Sequence, residues 1–200
     1  MTASNTADLT ALRAENASLK SRIRELEAQI NFLGQYRTLA AGIRGERLVA
    51  ASTSGTFTPH TSPFDILGAD GSRIEVKLAK KTAPVPAHPN HLRWQWGKVF
   101  GETGRKKYDY LLLIGEADQR YQQLYRDSSS PYVIFCLQMP DVSSLTIGGT
   151  GAARGITIST NPTKPKGKAL RLFNEFQVTW AEVATRFGVT DEEAIRQTVG

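Results

Sequence analysis

The first ordered pattern along the chain is a heptad. Apolar residues recur at alternating spacings of three and four from Leu9 to Leu33. Leu9, Asn16, Ile23 and Ile30 fall at a positions, and Leu12, Leu19, Leu26 and Leu33 at d positions. This 3.5-residue period is that of a coiled coil. Isoleucine at a with leucine at d favours two parallel strands, and a lone asparagine at a, here Asn16, sets register. The flanking charges agree, because in a parallel pair Asp8 faces Arg13, Glu15 faces Lys20 and Arg22 faces Glu27. Residues 1–36 are therefore expected to form a dimerising coiled coil with those eight residues as its seam. The alternative is an amphipathic helix packed on its own domain, which usually carries a wider apolar stripe and no charge register. Gly34 marks the end of the coiled coil or a bend in a longer helix.

Beyond Gly34 the period changes. Leu39, Ile43 and Arg47 have helical spacing, and that helix includes Gly45-Glu46. Residues 52–63 are rich in Ser, Thr, Gly and Pro and read as a loop. Two short runs, Phe64–Gly68 and Arg73–Leu78, flank Asp70-Gly71, the signal of a hairpin. Tyr108–Gly115 and Tyr132–Met139 are continuous apolar runs suited to buried strands. Thr146–Thr160 reads as a loop and a short strand, Asn161–Lys168 as an exposed basic loop, and Leu170–Phe176 as an apolar segment. Trp180–Thr190 is similar to the start of a helix-turn-helix, but the acidic Asp191-Glu192-Glu193 suits a capping helix better than one entering a DNA groove. The expected fold is α/β: a mixed sheet of four or five strands flanked by helices over residues 37–200, preceded by the coiled-coil helix.

Composition adjusts this picture only in part. A hydrophobic fraction of 40% allows a sizeable core, and a net charge of +6 favours a polyanionic partner. The single cysteine, Cys136, lies in an apolar run and reads as a small buried hydrophobe. No run reaches the ~18 apolar residues of a membrane span. No basic segment followed by an apolar core opens the chain, so a cytoplasmic setting is the expectation.

The hairpin carries the candidate chemistry. Residues two apart on a strand share a face, so Glu75 and Lys77 point together while Ile74, Val76 and Leu78 point to a core. Asp65 lies on the partner run and comes close to Glu75 across the ladder. Two carboxylates and an ammonium at one patch are what phosphodiester hydrolysis asks for. A divalent cation neutralises charge at phosphorus and activates water, and Mg2+ prefers carboxylate, carbonyl and water oxygens. Asp65 and Glu75 are the candidate ligands, with the Val76 carbonyl as a third. Lys77 would orient or deprotonate the water or stabilise developing charge. Glu46 would complete the site or hold a second ion, unless it only pairs with Arg44 or Arg47. The plain alternative for the whole set is the solvated face of an amphipathic hairpin.

Pro63-Phe64-Asp65 followed by Glu75-Val76-Lys77 resembles the PD-(D/E)XK nuclease superfamily, with its restriction-endonuclease-like fold. Gly45-Glu46 is similar to that superfamily's helix glutamate. Trp94-Gln95-Trp96-Gly97-Lys98, followed by Lys107–Gly115, resembles the helix and next core strand of restriction-type members. Phe64 departs from a literal Pro-Asp pair. The resemblance spans residues 40 to 140. It implies a homodimeric DNA endonuclease of restriction or host-defence type that uses Mg2+, with Mn2+ as an alternative ion, through Asp65, Glu75, Lys77 and Glu46.

From Arg73 to Lys107 there are nine basic residues against Glu75 and Glu102. Lys80, Lys81, His88, His91, Arg93, Lys98, Arg105, Lys106 and Lys107 are the candidate DNA contacts, pairing with phosphates. The Pro-rich loop Thr82–Pro89 is a candidate clamp, whereas Trp94 and Trp96 read as core. His88 and His91 have the spacing of a helical metal pair, which Pro89 argues against. Two rival readings remain: a structure-specific or single-strand nuclease for repair, recombination or phage DNA processing, and a non-catalytic DNA-binding scaffold.

Overall fold

Two strands of the second half of the chain are apolar on both sides because both faces of their sheet are covered. In the computed structural model, Tyr110–Glu116 (β5) sends Leu111 and Leu113 to one hydrophobic cluster and Leu112 and Ile114 to another. Tyr132–Gln138 (β6) likewise divides Phe135 and Leu137 from Ile134 and Cys136. The structure describes residues 2–34, 37–59, 61–101, 106–146 and 154–189, with side chains in the first two helices from 12–30 and 39–52. The chain divides into two units, Met1–Ala40 and Ala41–Gly200.

In the first unit Thr2–Gly34 is one helix (α1), and residues 35–36, which would separate an end from a bend at Gly34, lie outside the described residues. Its heptad residues Leu12, Leu19, Ile23, Leu26 and Ile30 are 42–62% exposed, so this unit does not bury its own apolar seam. Arg22 pairs with Glu25 along the helix at 2.6 Å. The side chains of Leu9 and Leu33 lie outside the described residues.

The second unit is α/β. Its main sheet has six strands, in the order β1 (Thr56–Phe57), β2 (Ile66–Leu67), β3 (Arg73–Ala79), β5, β6 and β8 (Gln177–Val178). This exceeds the expected four or five, because the two-residue strands at the edges leave no run long enough to show alternation. The sheet is mixed: β3 pairs parallel with β5 and every other neighbour is antiparallel. Helix α2 (Arg37–Ser52), through its residues from Leu48 onward, and α5 (Trp180–Arg186) with its C-cap Phe187 supply Val49, Trp180, Val183 and Phe187 to one face. Burial pushes the Cys136 thiol on this face up to about 11, as fits a packing role. Helix α5 starts on a capping box, with Thr179 accepting from the Glu182 N–H and Glu182 accepting from the Thr179 N–H. The residues that would continue a helix-turn-helix, from Thr190 onward, lie outside the described residues.

The other face is covered mainly by a second sheet. Arg93–Trp96 (β4) and Ile156–Ser159 (β7) pair antiparallel. The expected helix at Trp94–Lys98 is therefore a strand. Apolar residues two apart follow the period of a strand, and Trp94 and Trp96 both turn inward while Gln95 stays exposed. The two indole N–H groups donate to the carbonyls of Glu116 and Ile114, each at 2.9 Å, fastening the small sheet to β5. Gly115 makes this approach possible, since a Cβ there would lie 2.5 Å from Trp94 Cε2. Helix α3 (Met139–Leu145), the single helical turn α4 (Lys168–Arg171) and a π-helical stretch, Leu172–Phe176, complete this layer.

Candidate active site

Asp65 and Glu75 meet because a strand runs short. β2 pairs with only two residues of β3, Ile66 opposite Ile74 and Leu67 opposite Arg73. Beyond that point the edge of β3 has donors without strand partners, and a buried N–H needs an acceptor. The Asp65 carboxylate supplies one: its Oδ2 accepts from the Val76 N–H at 2.9 Å. The backbone of Asp65 is held from both sides. Its N–H donates to the Ile74 carbonyl at 3.0 Å, and its carbonyl accepts from the N–H and Oγ1 of Thr58. The turn that returns the chain uses Gly71 at φ 83° and the Asp70 side chain, which accepts from the Ser72 N–H. The expected hairpin is present.

Glu75 is not on a solvated face. It is 0% exposed, and both of its oxygens are engaged. Lys77 Nζ lies 2.5 Å from Oε1. Lys106 Nζ lies 2.7 Å from Oε1 and 2.6 Å from Oε2, and reaches Asp65 Oδ1 at 3.2 Å. One ammonium thus bridges the two carboxylates. Desolvation holds the Glu75 carboxyl above the usual carboxylate range, Asp65 adds to the shift, and Lys77 and Lys106 oppose it. For Lys106 burial pulls the other way, but Glu75 and Asp65 outweigh it and the ammonium is held above its ordinary value. The phenol of Tyr108, buried and donating to the Val99 carbonyl at 2.8 Å, is raised by desolvation and then by the charge of Glu75.

Glu46 comes to the same place through the packing of α2. A Cβ on Gly45 would sit 3.0 Å from Leu78 Cβ and 3.3 Å from Val76 Cγ1, so the glycine lets the helix lie directly on β3. Glu46 makes no ion pair with Arg44 or Arg47 among the described residues. Its carboxyl is raised by desolvation and by the charges of Asp65 and Glu75, against Lys77 and Lys106. Glu46, Asp65, Lys77, Lys98 and Lys106 line one cleft of about 570 Å³, with Thr58 and Ser62 on its rim.

The structure sorts the remaining basic candidates. Lys98, in the left-handed region at φ 52°, lines the cleft. Lys81 donates to the Ala117 carbonyl at 2.8 Å and is occupied in holding the fold. Lys80 and Lys107 are exposed. So are His88 and His91, whose rings stack with centroids 5.3 Å apart at the tip of a loop closed by the Thr82–Arg93 bridge. Arg93 stands at the base of that loop and lines a different cleft. Arg105 lies outside the described residues. Lys106, one of the candidate DNA contacts, sits between the carboxylates. Its neighbours Arg105 and Lys107 carry the same charge, so nothing local marked it out. The contact spans 31 positions and is made by folding, with the Lys106 stem lying over Gly101 at φ 73°.

Among the described residues, no three His, Cys, Asp or Glu side chains converge as a ready-made metal cage. The donor set nevertheless suits a hard cation that keeps most of its waters, since two carboxylates already share one positive charge. No protein-family model matches the chain, and no curated protein matches it.

Proposed function

We propose that the protein is a Mg2+-dependent DNA endonuclease of restriction or host-defence type, working as a parallel homodimer through its N-terminal helix. The observation that carries this reading is the buried Glu75 carboxylate, bridged by one ammonium to Asp65, which lines a cleft together with Glu46 and Lys77. A solvated hairpin face would not bury a carboxylate and surround it with cations. Perturbed acids gathered in a cleft are the mark of a chemical site.

Asp65 and Glu75 would hold the ion, with Glu46 completing the set or holding a second ion. In a strand the N–H and C=O of one residue leave the same edge, so the Val76 carbonyl shares the edge on which its N–H meets Asp65. When bound, the ion would supply Lewis-acid charge at the phosphorus and a more acidic water. The protein's own residues do the rest. Lys77, two positions from Glu75, orients the attacking water or takes its proton. Lys106 and Lys98 place positive charge where the phosphodiester gains negative charge on its way to the transition state. Two copies in one dimer would address the two strands of a duplex.

The test is direct. Purified protein cleaves duplex DNA with Mg2+ and not with EDTA, and Lys77→Ala abolishes cleavage while leaving the fold intact. Undiminished cleavage by that variant would remove the site assignment. Branched and single-stranded substrates in the same assay separate the restriction reading from a structure-specific one.

A further inference from the structure

The two-stranded sheet carries a second cleft whose lining contains none of the residues described above as site ligands. It measures about 410 Å³ and is lined by Arg93, Thr157, Ser159, Lys164, Lys166 and Lys168 among others. Strand alternation builds its floor. Trp94, Trp96, Ile156 and Ile158 turn into the core, so Arg93 opposite Ser159 and Gln95 opposite Thr157 face outward. The outer face is therefore polar, with hydroxyls and a guanidinium and no carboxylate.

The loop that carries the lysines along its side is braced at both ends. Thr160 begins their loop, donating its N–H to the Leu92 carbonyl at 3.1 Å and its Oγ1 to Asp118 at 2.8 Å. The Asn161 side chain accepts from both the N–H and Oγ1 of Thr163, each at 2.8 Å. Pro162 and Pro165 restrict the backbone, and buried Ala169 of α4 anchors the far end. The fold gives other arginines an acidic partner: Arg120 with Asp118, Arg126 with Glu182, Arg171 with Glu175. Arg93, Lys164, Lys166 and Lys168 have no acidic partner among the described residues. Four cations presented on a braced surface without counter-charge call for a polyanion.

We propose that this cleft binds the phosphodiester backbone of nucleic acid, as a second contact region outside the catalytic cleft. The aromatic rings of β4 face the core, and no aromatic residue is among those described as lining the cleft. Recognition here is by phosphate and is independent of sequence. The inference rests on the reading of the chain as a DNA-cutting enzyme and adds where the duplex is held.

The full-length protein and its Lys164→Ala/Lys166→Ala/Lys168→Ala variant are compared for binding to a fluorescent duplex across a salt series in EDTA. Each lost phosphate contact lowers the slope of log affinity on log salt by about 1, so the variant should lose roughly 3. A Lys164→Glu/Lys166→Glu variant should weaken binding further, with unchanged circular dichroism. Equal slopes in wild type and triple variant would overturn the proposal while leaving the nuclease reading intact. Displacement of inorganic phosphate without any change in DNA binding would reduce the cleft to a small-anion site and overturn it as well. If the wild type neither binds nor cuts DNA, both readings fall.

Discussion

Lys106 Nζ lies within 2.7 Å of both oxygens of Glu75, a fully buried carboxylate, and 3.2 Å from Asp65. Any cation that enters between those carboxylates must displace this ammonium or share them with it. Lys106→Met should therefore bind Mg2+ more tightly than wild type in calorimetry. Losing one charge-assisted competitor worth about 1.5 kcal/mol corresponds to roughly tenfold. Cleavage by the same variant should fall, because the charge meant for the phosphate is gone. An unchanged Mg2+ affinity would show that Lys106 does not compete for the ligands.

Asp65 has two separable duties. Asp65→Asn keeps an acceptor for the Val76 N–H but loses the charge a metal needs, so stability should hold while cleavage is lost. Asp65→Ala also leaves that N–H without its partner, at a cost of about 1–3 kcal/mol. Urea denaturation of the two variants beside an activity assay checks the split. Equal stability would mean that water replaces the carboxylate at the β3 edge.

Burial raises the Glu75 carboxyl above its ordinary value of 4.5. A raised carboxyl binds its proton more tightly in the folded chain. Its support for folding is thus complete below the ordinary value and is lost as pH rises through the raised one. Metal-free wild type, measured against Glu75→Gln, should lose relative stability from about pH 4.5 upward. Urea midpoints in EDTA from about pH 4 to about pH 8 read this. A relative gain on going up would mean that Lys77 and Lys106 dominate over burial.

Gly115 lies against the Trp94 ring, and a Cβ there would come within 2.5–2.7 Å of three of its atoms. Trp94 is fully buried and cannot retreat. Gly115→Ala should destabilise the second unit by about 1–3 kcal/mol through overpacking, read as a lower urea midpoint. A neutral outcome would mean that the small sheet shifts freely over β5.

The exposed seam of α1 sets a prediction about assembly. Asn16→Leu should raise dimer stability or shift the oligomeric state in ultracentrifugation, since a buried asparagine gives up stability for register. A wild type that is monomeric at micromolar concentration would remove the coiled-coil reading.

Local pattern carried much of this protein. The heptad spacing from Leu9 to Leu33 specifies a helix, and α1 covers that stretch. The unbroken apolar runs specify β5 and β6, and Asp70-Gly71 specifies the hairpin that brings Asp65 toward Glu75. Those features depend on residues a few positions apart, where period and turn chemistry act directly. Trp94–Trp96 resembles a helical segment of restriction-type nucleases, yet its apolar residues two apart carry the period of a strand, and a strand is what forms. What only the tertiary structure decided depends on distant chain segments meeting. Glu75 is buried where Asp65, Lys77 and Lys106, from three parts of the chain, gather around it. Gly45 carries Glu46 to the cleft because α2 can lie directly on β3. One lysine of a basic run became the bridge between two carboxylates, since burial and counter-charge are properties of the folded neighbourhood and not of the residue.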